Sequence, residues 1–195
     1  MVMNTYCLAE FVEKEKDGVI FAKISKSFNS NVVHGGYFPY EEYLGRVVNS
    51  TICPSLIEFT IEPLDKAFEY FHYGDQVTIV NFTKLAAEIE EETFSASDSS
   101  KKGCYDVNNL YIEKVLSLND VSTIDLFKEY MKEDFFEKAH SAEYHLRNWK
   151  CNQAADYLSS LLEEKEKYSI DETAVREDPK ENRIINKIRK FLSRL

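Results

Sequence analysis

The apolar residues of this 195-residue chain change their spacing near Asn119-Asp120. Before that point short β-prone runs alternate with short helical patterns, and after it the spacing is helical only. Strands and helices that occupy separate parts of a chain are typical of α+β proteins. We therefore predict an α+β fold: a mixed sheet of about five strands with short helices over residues 1–120, then a three-helix section over 121–195.

The strand predictions depend on alternation and on turn dipeptides. The run LIEFTIE, residues 56–62, alternates apolar and polar side chains as a half-buried strand does. At the N-terminus two β-prone runs meet at Asp17-Gly18, a dipeptide suited to a type I′ turn, so we predict a β-hairpin there. Residues 95–103, SASDSSKKG, are small and polar without an apolar anchor, and we expect them to form a flexible loop.

Further along the chain, the runs QVTIVNF, residues 76–82, and NNLYIEKVLSL, residues 108–118, also predict strands. The segment PLDKAFEYFHYG, residues 63–74, predicts a short helix. Its apolar residues Leu64, Ala67, Phe68 and Phe71 share one face, and Gly74 can cap its C-terminal end.

The charge and the cysteine content narrow the classes of function. The chain has a formal net charge of −10, whereas a general nucleic-acid binder is expected to be basic. Its four cysteines lack zinc-site spacing, and no Gly-rich phosphate loop or nucleophile elbow occurs. No apolar run approaches the ~20 residues that span a bilayer. We therefore predict a cytoplasmic protein with reduced thiols, and no motif indicates a catalytic residue, a metal or a cofactor.

The last sixteen residues, KENRIINKIRKFLSRL, form the most distinctive segment of the sequence. They hold six basic residues and one acidic residue, although the chain as a whole is acidic. Asp178 can cap a helix here, Pro179 suits its first position, and Glu181 completes a capping box. On a helical wheel the segment separates into an apolar and a basic face. The apolar face carries Ile184, Ile188, Phe191 and Leu192, and the basic face carries Arg183, Lys187, Lys190 and Arg194.

An apolar helical face of this width has to pack against another surface. It can dock on the chain's own domain while the basic face meets the acidic body. It can instead bind a partner protein or a second copy of the chain in a groove. Nucleic acid could bind only through this helix. A membrane is the weakest of the partners, because the helix lacks Trp and acidic lipid would repel the rest of the chain.

The segment HGGYFPYEEY, residues 34–43, is a second candidate for partner binding. Tyrosines make good binding hot spots because they bury a large area with few rotamers to freeze. The alternative is a loop that covers the core and buries its own rings. The aromatic residues concerned are Tyr37, Phe38, Tyr40 and Tyr43.

These patterns together predict a binding protein: a small regulatory, inhibitory or accessory subunit that docks a partner macromolecule, in the first instance a protein. The alternative is a small enzyme that acts on a nucleotide or nucleic acid without a standard motif. Such an enzyme could use His34, His72 or a cysteine, and Cys104 follows two lysines that could lower its pKa. A buried, inert cysteine is the competing interpretation.

Overall fold

A computed structural model of the protein describes residues 4–27, 38–52 and 58–175. Helices and an antiparallel sheet combine in these ranges, which confirms an α+β fold. The chain divides into two compact units, Met1–Leu158 and Ser159–Leu195. The sheet and the candidate site lie in the first unit. Of the second unit, the structure describes the C-terminal part of one long helix.

Eight strands form one sheet in the described residues, more than the predicted five or so. The strands are β1 Thr5–Tyr6, β2 Phe21–Ser25, β3 Val47–Asn49, β4 Phe59–Pro63, β5 Gln76–Val80, β6 Ala96–Asp98, β7 Tyr105–Val107 and β8 Asn109–Ser117. Their order across the sheet is β1-β6-β7-β4-β2-β5-β8-β3. Every described pairing is antiparallel, so the prediction of a mixed sheet is wrong. Strands of two or three residues are too short to show an alternating pattern, which is why the count was underestimated.

Helices lie between the strands and follow the sheet. The α-helices of the described ranges are α1 Leu8–Lys16, α2 Phe82–Glu88, α3 Val121–Met131, α4 Phe135–Asn148 and α5 Asn152–Val175. The 3₁₀ helices are Tyr40–Tyr43, Ser50–Ile52, Leu64–Tyr73, Glu91–Thr93 and Lys132–Asp134. No helix of the described ranges is both long and apolar enough to span a bilayer. The predicted terminal helix, residues 180–195, lies outside the described residues, and the predicted domain boundary at residue 120 stays a prediction.

The first arm of the predicted N-terminal hairpin is helix α1 instead of a strand. The Glu10 carboxylate accepts a hydrogen bond from the Cys7 backbone N–H at 2.8 Å, which caps the start of the helix. Leu8 and Phe11, three residues apart, are both buried on the same helical face. The turn does fall at Asp17-Gly18, but it joins a helix to β2. Local capping and helical spacing therefore outweigh the β-propensity of the run.

Residues 95–103 form part of a β-hairpin instead of a flexible loop. Strand β6 pairs with β1 on one side and with β7 on the other. The Ser99 N–H donates to the Cys104 carbonyl at 3.0 Å, and the Cys104 N–H donates to the Lys101 carbonyl at 3.1 Å. Ala96 is buried and supplies the apolar anchor that the sequence seemed to lack. Backbone pairing on both sides of β6 therefore orders a segment whose side chains favour a loop.

The segment between β4 and β5 matches its predicted burial but not its predicted helix type. Its apolar residues Leu64, Ala67, Phe68 and Phe71 are all buried, as the spacing indicates. Phe68 packs its ring against Phe127 of α3, with centroids 4.8 Å apart, and against Phe135 of α4 at 5.5 Å. The helix is of the 3₁₀ type throughout. These contacts fix one side of Leu64–Tyr73 and leave its other side at the surface.

Gly74, expected to cap this helix, is required for a different reason. Its φ is 179°, an extended conformation that any residue adopts. A Cβ at this position would lie 1.8 Å from the Ser25 carbonyl oxygen and 2.2 Å from the Ser25 carbonyl carbon. The main chain of β2 therefore passes too close to residue 74 for any side chain.

Replacing Gly74 with Ala should destabilise the protein, because a main-chain atom cannot move aside as a flexible side chain can. We expect Gly74→Ala to lower the free energy of unfolding by about 2–3 kcal/mol, measured by urea denaturation. Gly18→Ala is the matched comparison: residue 18 has a φ of +91° but no atom within 4 Å of the added Cβ. That variant should lose only about 1 kcal/mol. Equal losses in the two variants would contradict the proposed collision.

Candidate functional site

Strands β2 and β4 separate after two paired residues, and charged side chains bridge the gap. Phe21 pairs with Pro63 and Ala22 with Glu62, and the described pairing ends there. Beyond that point the Lys23 ammonium donates to the Thr60 carbonyl at 2.9 Å. The Glu62 carboxylate accepts from the Ile24 N–H at 3.1 Å. Each side chain thus satisfies a main-chain group of the other strand that the ladder leaves free.

The environment of this pair shifts the pKa of both side chains. Burial lowers the pKa of Lys23, and the nearby charge of Glu62 opposes that shift. Burial raises the pKa of Glu62 to about 7, against the opposing effects of Lys23 and of the Ile24 N–H. Glu62 is only 4% exposed, whereas the Lys23 residue is partly exposed. Each charge therefore depends on the other to offset the loss of hydration.

Tyr70 and Cys104 lie beside the pair and complete a buried ionisable cluster, defined here as Lys23, Glu62, Tyr70 and Cys104. The Tyr70 hydroxyl donates to the Lys102 carbonyl at 3.2 Å. Burial, followed by the hydrogen bond with Cys104, raises the pKa of Tyr70 well above its ordinary value. Burial also raises the pKa of the Cys104 thiol, although the Tyr70 hydrogen bond opposes that shift. A thiol with a raised pKa holds little thiolate at neutral pH, so Cys104 lacks the activation that a nucleophile needs.

A continuous set of ring contacts runs across the surface next to this cluster. Tyr70 stacks on Tyr73 with centroids 6.1 Å apart, and the His72 and Tyr73 centroids are 3.9 Å apart. His145 lies 5.5 Å from His72 and 5.4 Å from Tyr144 by the same measure. The Lys101 ammonium lies 3.8 Å from the centre of the Tyr73 ring. We call this set the aromatic surface: Tyr70, His72, Tyr73, Lys101, Tyr144 and His145.

The exposure of the rings distinguishes this surface from the core. Within the described ranges the exposed large hydrophobic side chains are Leu44, Tyr73 and Tyr144, at 54%, 42% and 66%. Two of these three belong to the aromatic surface. An exposed Tyr in contact with other rings has the chemistry of a binding hot spot, since it is partly held in place before a partner arrives.

Two anchored helices position these side chains. The 3₁₀ helix Leu64–Tyr73 is held from below by Phe68 and Phe71. Helix α4 is held by Ala139, Ala142 and Leu146, which are all buried. Tyr144 therefore lies on the outer side of α4, and His145 lies at the edge of its buried face. The β6–β7 turn adds Lys101, whose ammonium contacts the Tyr70 and Tyr73 rings.

The two histidines of the aromatic surface differ in their exposure. His72 is exposed, whereas His145 is partly buried. Burial lowers the pKa of His145, and the charge of His72 lowers it further. His145 is therefore a neutral imidazole at neutral pH. No group of three or more His, Cys, Asp or Glu side chains that could hold a metal ion occurs among the described residues.

Two grooves on another part of the surface contain none of the ionisable groups considered above as catalytic or metal-binding residues. Cavities of about 950 and 540 Å³ share Val19, Ile20 and Leu126 in their walls. Neither histidine nor cysteine occurs among their described lining residues. Burial raises the pKa of the Cys151 thiol to about 11, so this second buried thiol is also a poor nucleophile at neutral pH.

The predicted binding residues fall in three places. The terminal-helix residues and Tyr37 lie outside the described residues. Phe38 and Tyr40 are buried, at 6% and 1% exposure, and Tyr43 is half-buried with its ring stacked on Phe38 at 5.2 Å. Their rings pack near Phe59 of β4. Phe38 and Tyr40 are therefore core residues, which supports the alternative of a loop that covers the core, and partner binding by this segment stays a prediction.

The residues that sequence reasoning missed are Tyr73, Tyr144 and His145. They lie on two helices far apart in the chain, and no spacing motif connects them. His72 was considered as a residue of the alternative enzyme, alone or with a cysteine, and the structure brings it beside His145. The one local feature that could have indicated this surface is the presence of aromatic and His residues near the ends of two predicted helices.

Comparison with known proteins adds no further indication of function. No protein-family model matches this chain, and neither a curated protein nor a solved structure matches it. The function must therefore be inferred from the geometry of the site.

Removing the lysine of the buried pair should destabilise the chain in a pH-dependent way. We expect Lys23→Met to lower the free energy of unfolding by about 1 kcal/mol or more at pH 8, because loss of the cation raises the pKa of Glu62 further above 7 and the folded chain then has to take up a proton. At pH 5 the loss should be smaller, since Glu62 can take up a proton. Urea denaturation at both pH values measures this, with Lys114→Met, an exposed lysine of β8, as the control. A loss of equal size at the two pH values would show that Lys23 does not stabilise the Glu62 charge.

His145 should make the folded state less stable in acid. Its pKa is lower in the folded protein than in the unfolded chain, where it is about 6.5. As the pH falls through that value, the unfolded chain binds a proton that the folded chain does not, so acidification favours unfolding. We expect His145→Gln to flatten the fall in unfolding free energy between pH 7.5 and 5.5. His140→Gln, on the exposed side of α4, is the control, and parallel curves for His145→Gln and the unmodified chain would refute the prediction.

Proposed function

We propose that this chain is a small cytoplasmic binding protein, a regulatory or accessory subunit that docks a partner protein through the aromatic surface. The observation that supports this best is the pair of exposed rings, Tyr73 and Tyr144, joined by the ring contacts of His72 and His145. Tyr side chains supply much of the energy at protein interfaces. The free thiols of Cys7, Cys104 and Cys151 fit a reducing compartment.

The charge of the aromatic surface indicates the chemistry of the partner. The whole chain has a net charge of −10, yet Lys101 and Lys102 border this surface. Glu69, an exposed acid on the same 3₁₀ helix as Tyr73, lies 3.9 Å from the Lys66 ammonium and 3.6 Å from that of Lys138. The aromatic surface is thus a locally basic area on an acidic protein. A complementary partner would place carboxylates opposite the lysines and apolar or aromatic groups against the tyrosines.

A protein partner fits these contacts better than a nucleic acid does. Bases stack on aromatic side chains whose faces are open, and a basic groove follows the phosphates. The Tyr73 ring already has the Lys101 ammonium 3.8 Å and the His72 ring 3.9 Å from its centre, so a stacked base would have to displace one of them, whereas a protein side chain can contact the exposed part of the ring without stacking on it. The enzyme alternative has less support, because the pKa values of Cys104 and Cys151 are both raised. Residues 180–195, with Ile188 and Phe191, remain a second proposed contact, with a partner or a second copy.

Site-specific photo-crosslinking in the native cell tests this proposal on the full chain. A photoreactive phenylalanine analogue at position 144 should crosslink to a partner protein, whereas the same group at position 44, exposed but outside the aromatic surface, should not. Lys101→Glu should abolish the product by reversing the local charge. Once the partner is identified, Tyr144→Ala should weaken its affinity by about tenfold or more.

Two outcomes would refute docking through the aromatic surface. One is equal crosslinking of the same proteins at positions 144 and 44, which indicates unspecific encounter. The other is a product at position 144 that contains nucleic acid and no protein, which would favour the alternative class of function.

A further inference from the structure

We propose that His72 and His145 form a two-histidine site for a divalent transition metal ion, with Zn²⁺ as the representative ion. Imidazole nitrogen is a preferred ligand of Zn²⁺, Ni²⁺ and Cu²⁺. This proposal does not depend on the docking proposal, since a metal ion can bind whether or not a partner protein does.

The separation of the two rings fits a shared ion. A Zn–N bond is about 2.1 Å long, so an ion bound in the plane of an imidazole lies about 3.2 Å from the ring centre. The His72 and His145 ring centres are 5.5 Å apart. Two such rings bound to one ion would subtend an angle of about 120° at it, which is close to the tetrahedral angle that Zn²⁺ adopts. The separation of the two ring centres is therefore the one that a shared ion requires.

The two histidines also lie on well-supported elements. Leu146, next to His145, is buried in α4, and Phe71, next to His72, is fully buried. The backbone of each ligand is thus anchored by an adjacent core residue, which lowers the conformational cost of binding an ion.

The coordination of this ion would be incomplete. No third His, Cys, Asp or Glu of the described residues joins the pair. Water would occupy the remaining positions, and the affinity should be lower than that of a structural zinc site with four protein ligands. Because the pair lies within the aromatic surface, a bound ion would also be accessible from outside the protein.

Titration of the full chain with ZnCl₂ at pH 7.5, followed by the ring ¹H–¹³C signals of its histidines, tests the site. The signals of His72 and His145 should shift together and saturate at one equivalent, while that of His140 should not respond. His72→Ala, at an exposed position, should weaken the Zn²⁺ affinity at least about tenfold. His145→Gln should do the same, and His140→Ala should leave the affinity unchanged.

A second readout is the thermal stability of the same variants. Because the ion would bind both the 3₁₀ helix Leu64–Tyr73 and α4, it should raise the melting temperature of the unmodified chain and of His140→Ala. That rise should disappear in His72→Ala. The proposal is overturned if only one of the two ring signals responds, if no saturation is reached, or if the affinity is the same in His72→Ala as in the unmodified chain. The last result would indicate a site elsewhere, such as the exposed thiol of Cys7.

Discussion

The contact between β2 and β4 holds the two halves of the sheet together. Strands β1, β6, β7 and β4 lie on one side of it, and β2, β5, β8 and β3 on the other. The described ladder joins these halves through only two residue pairs. Lys23 and Glu62 extend the connection by bonding to main-chain groups of the opposite strand. Burial disfavours the charged form of both side chains, and each charge opposes the pKa shift of the other, so removal of either residue also leaves the other less stable in its charged form.

The same region links the stability of the fold to its surface. Cys104 and Tyr70 lie near Glu62, and the turn before Cys104 carries Lys101 to the Tyr73 ring. Tyr70 therefore belongs both to the buried ionisable cluster and to the aromatic surface. The pKa values of the cluster are shifted because its side chains are buried where β2 and β4 separate. The raised pKa of the Cys104 thiol is the opposite of what a catalytic nucleophile needs. These observations indicate a structural role for the cluster, separate from the docking that we propose for the aromatic surface.

The success of the sequence predictions differed between long and short segments. The burial of Phe68 and Phe71 followed from their spacing, and the runs that became β4, β5 and β8 were identified as strands. Helix α1 was missed because its apolar residues fit both periods over a short length, and the cap formed by Glu10 decided the outcome. The start of α2 shows the same effect: Asn81 caps the Lys84 N–H, and Glu15 of α1 accepts from the N–H groups of Phe82 and Thr83. No pattern local to α2 indicates a capping carboxylate from another helix.

Local periodicity and composition were sufficient to predict the α+β class and the apolar face of the helix before β5, and to show that common catalytic motifs do not occur in the sequence. Each of these conclusions depends on residues that are near one another in the chain. The separation of β2 from β4, the burial of Phe38 and Tyr40, and the meeting of His72 with His145 required the folded chain. Each of these features brings together residues that are far apart in the sequence. Its energy comes from the burial of charge or from the packing of rings, and both depend on neighbours that only the folded chain supplies.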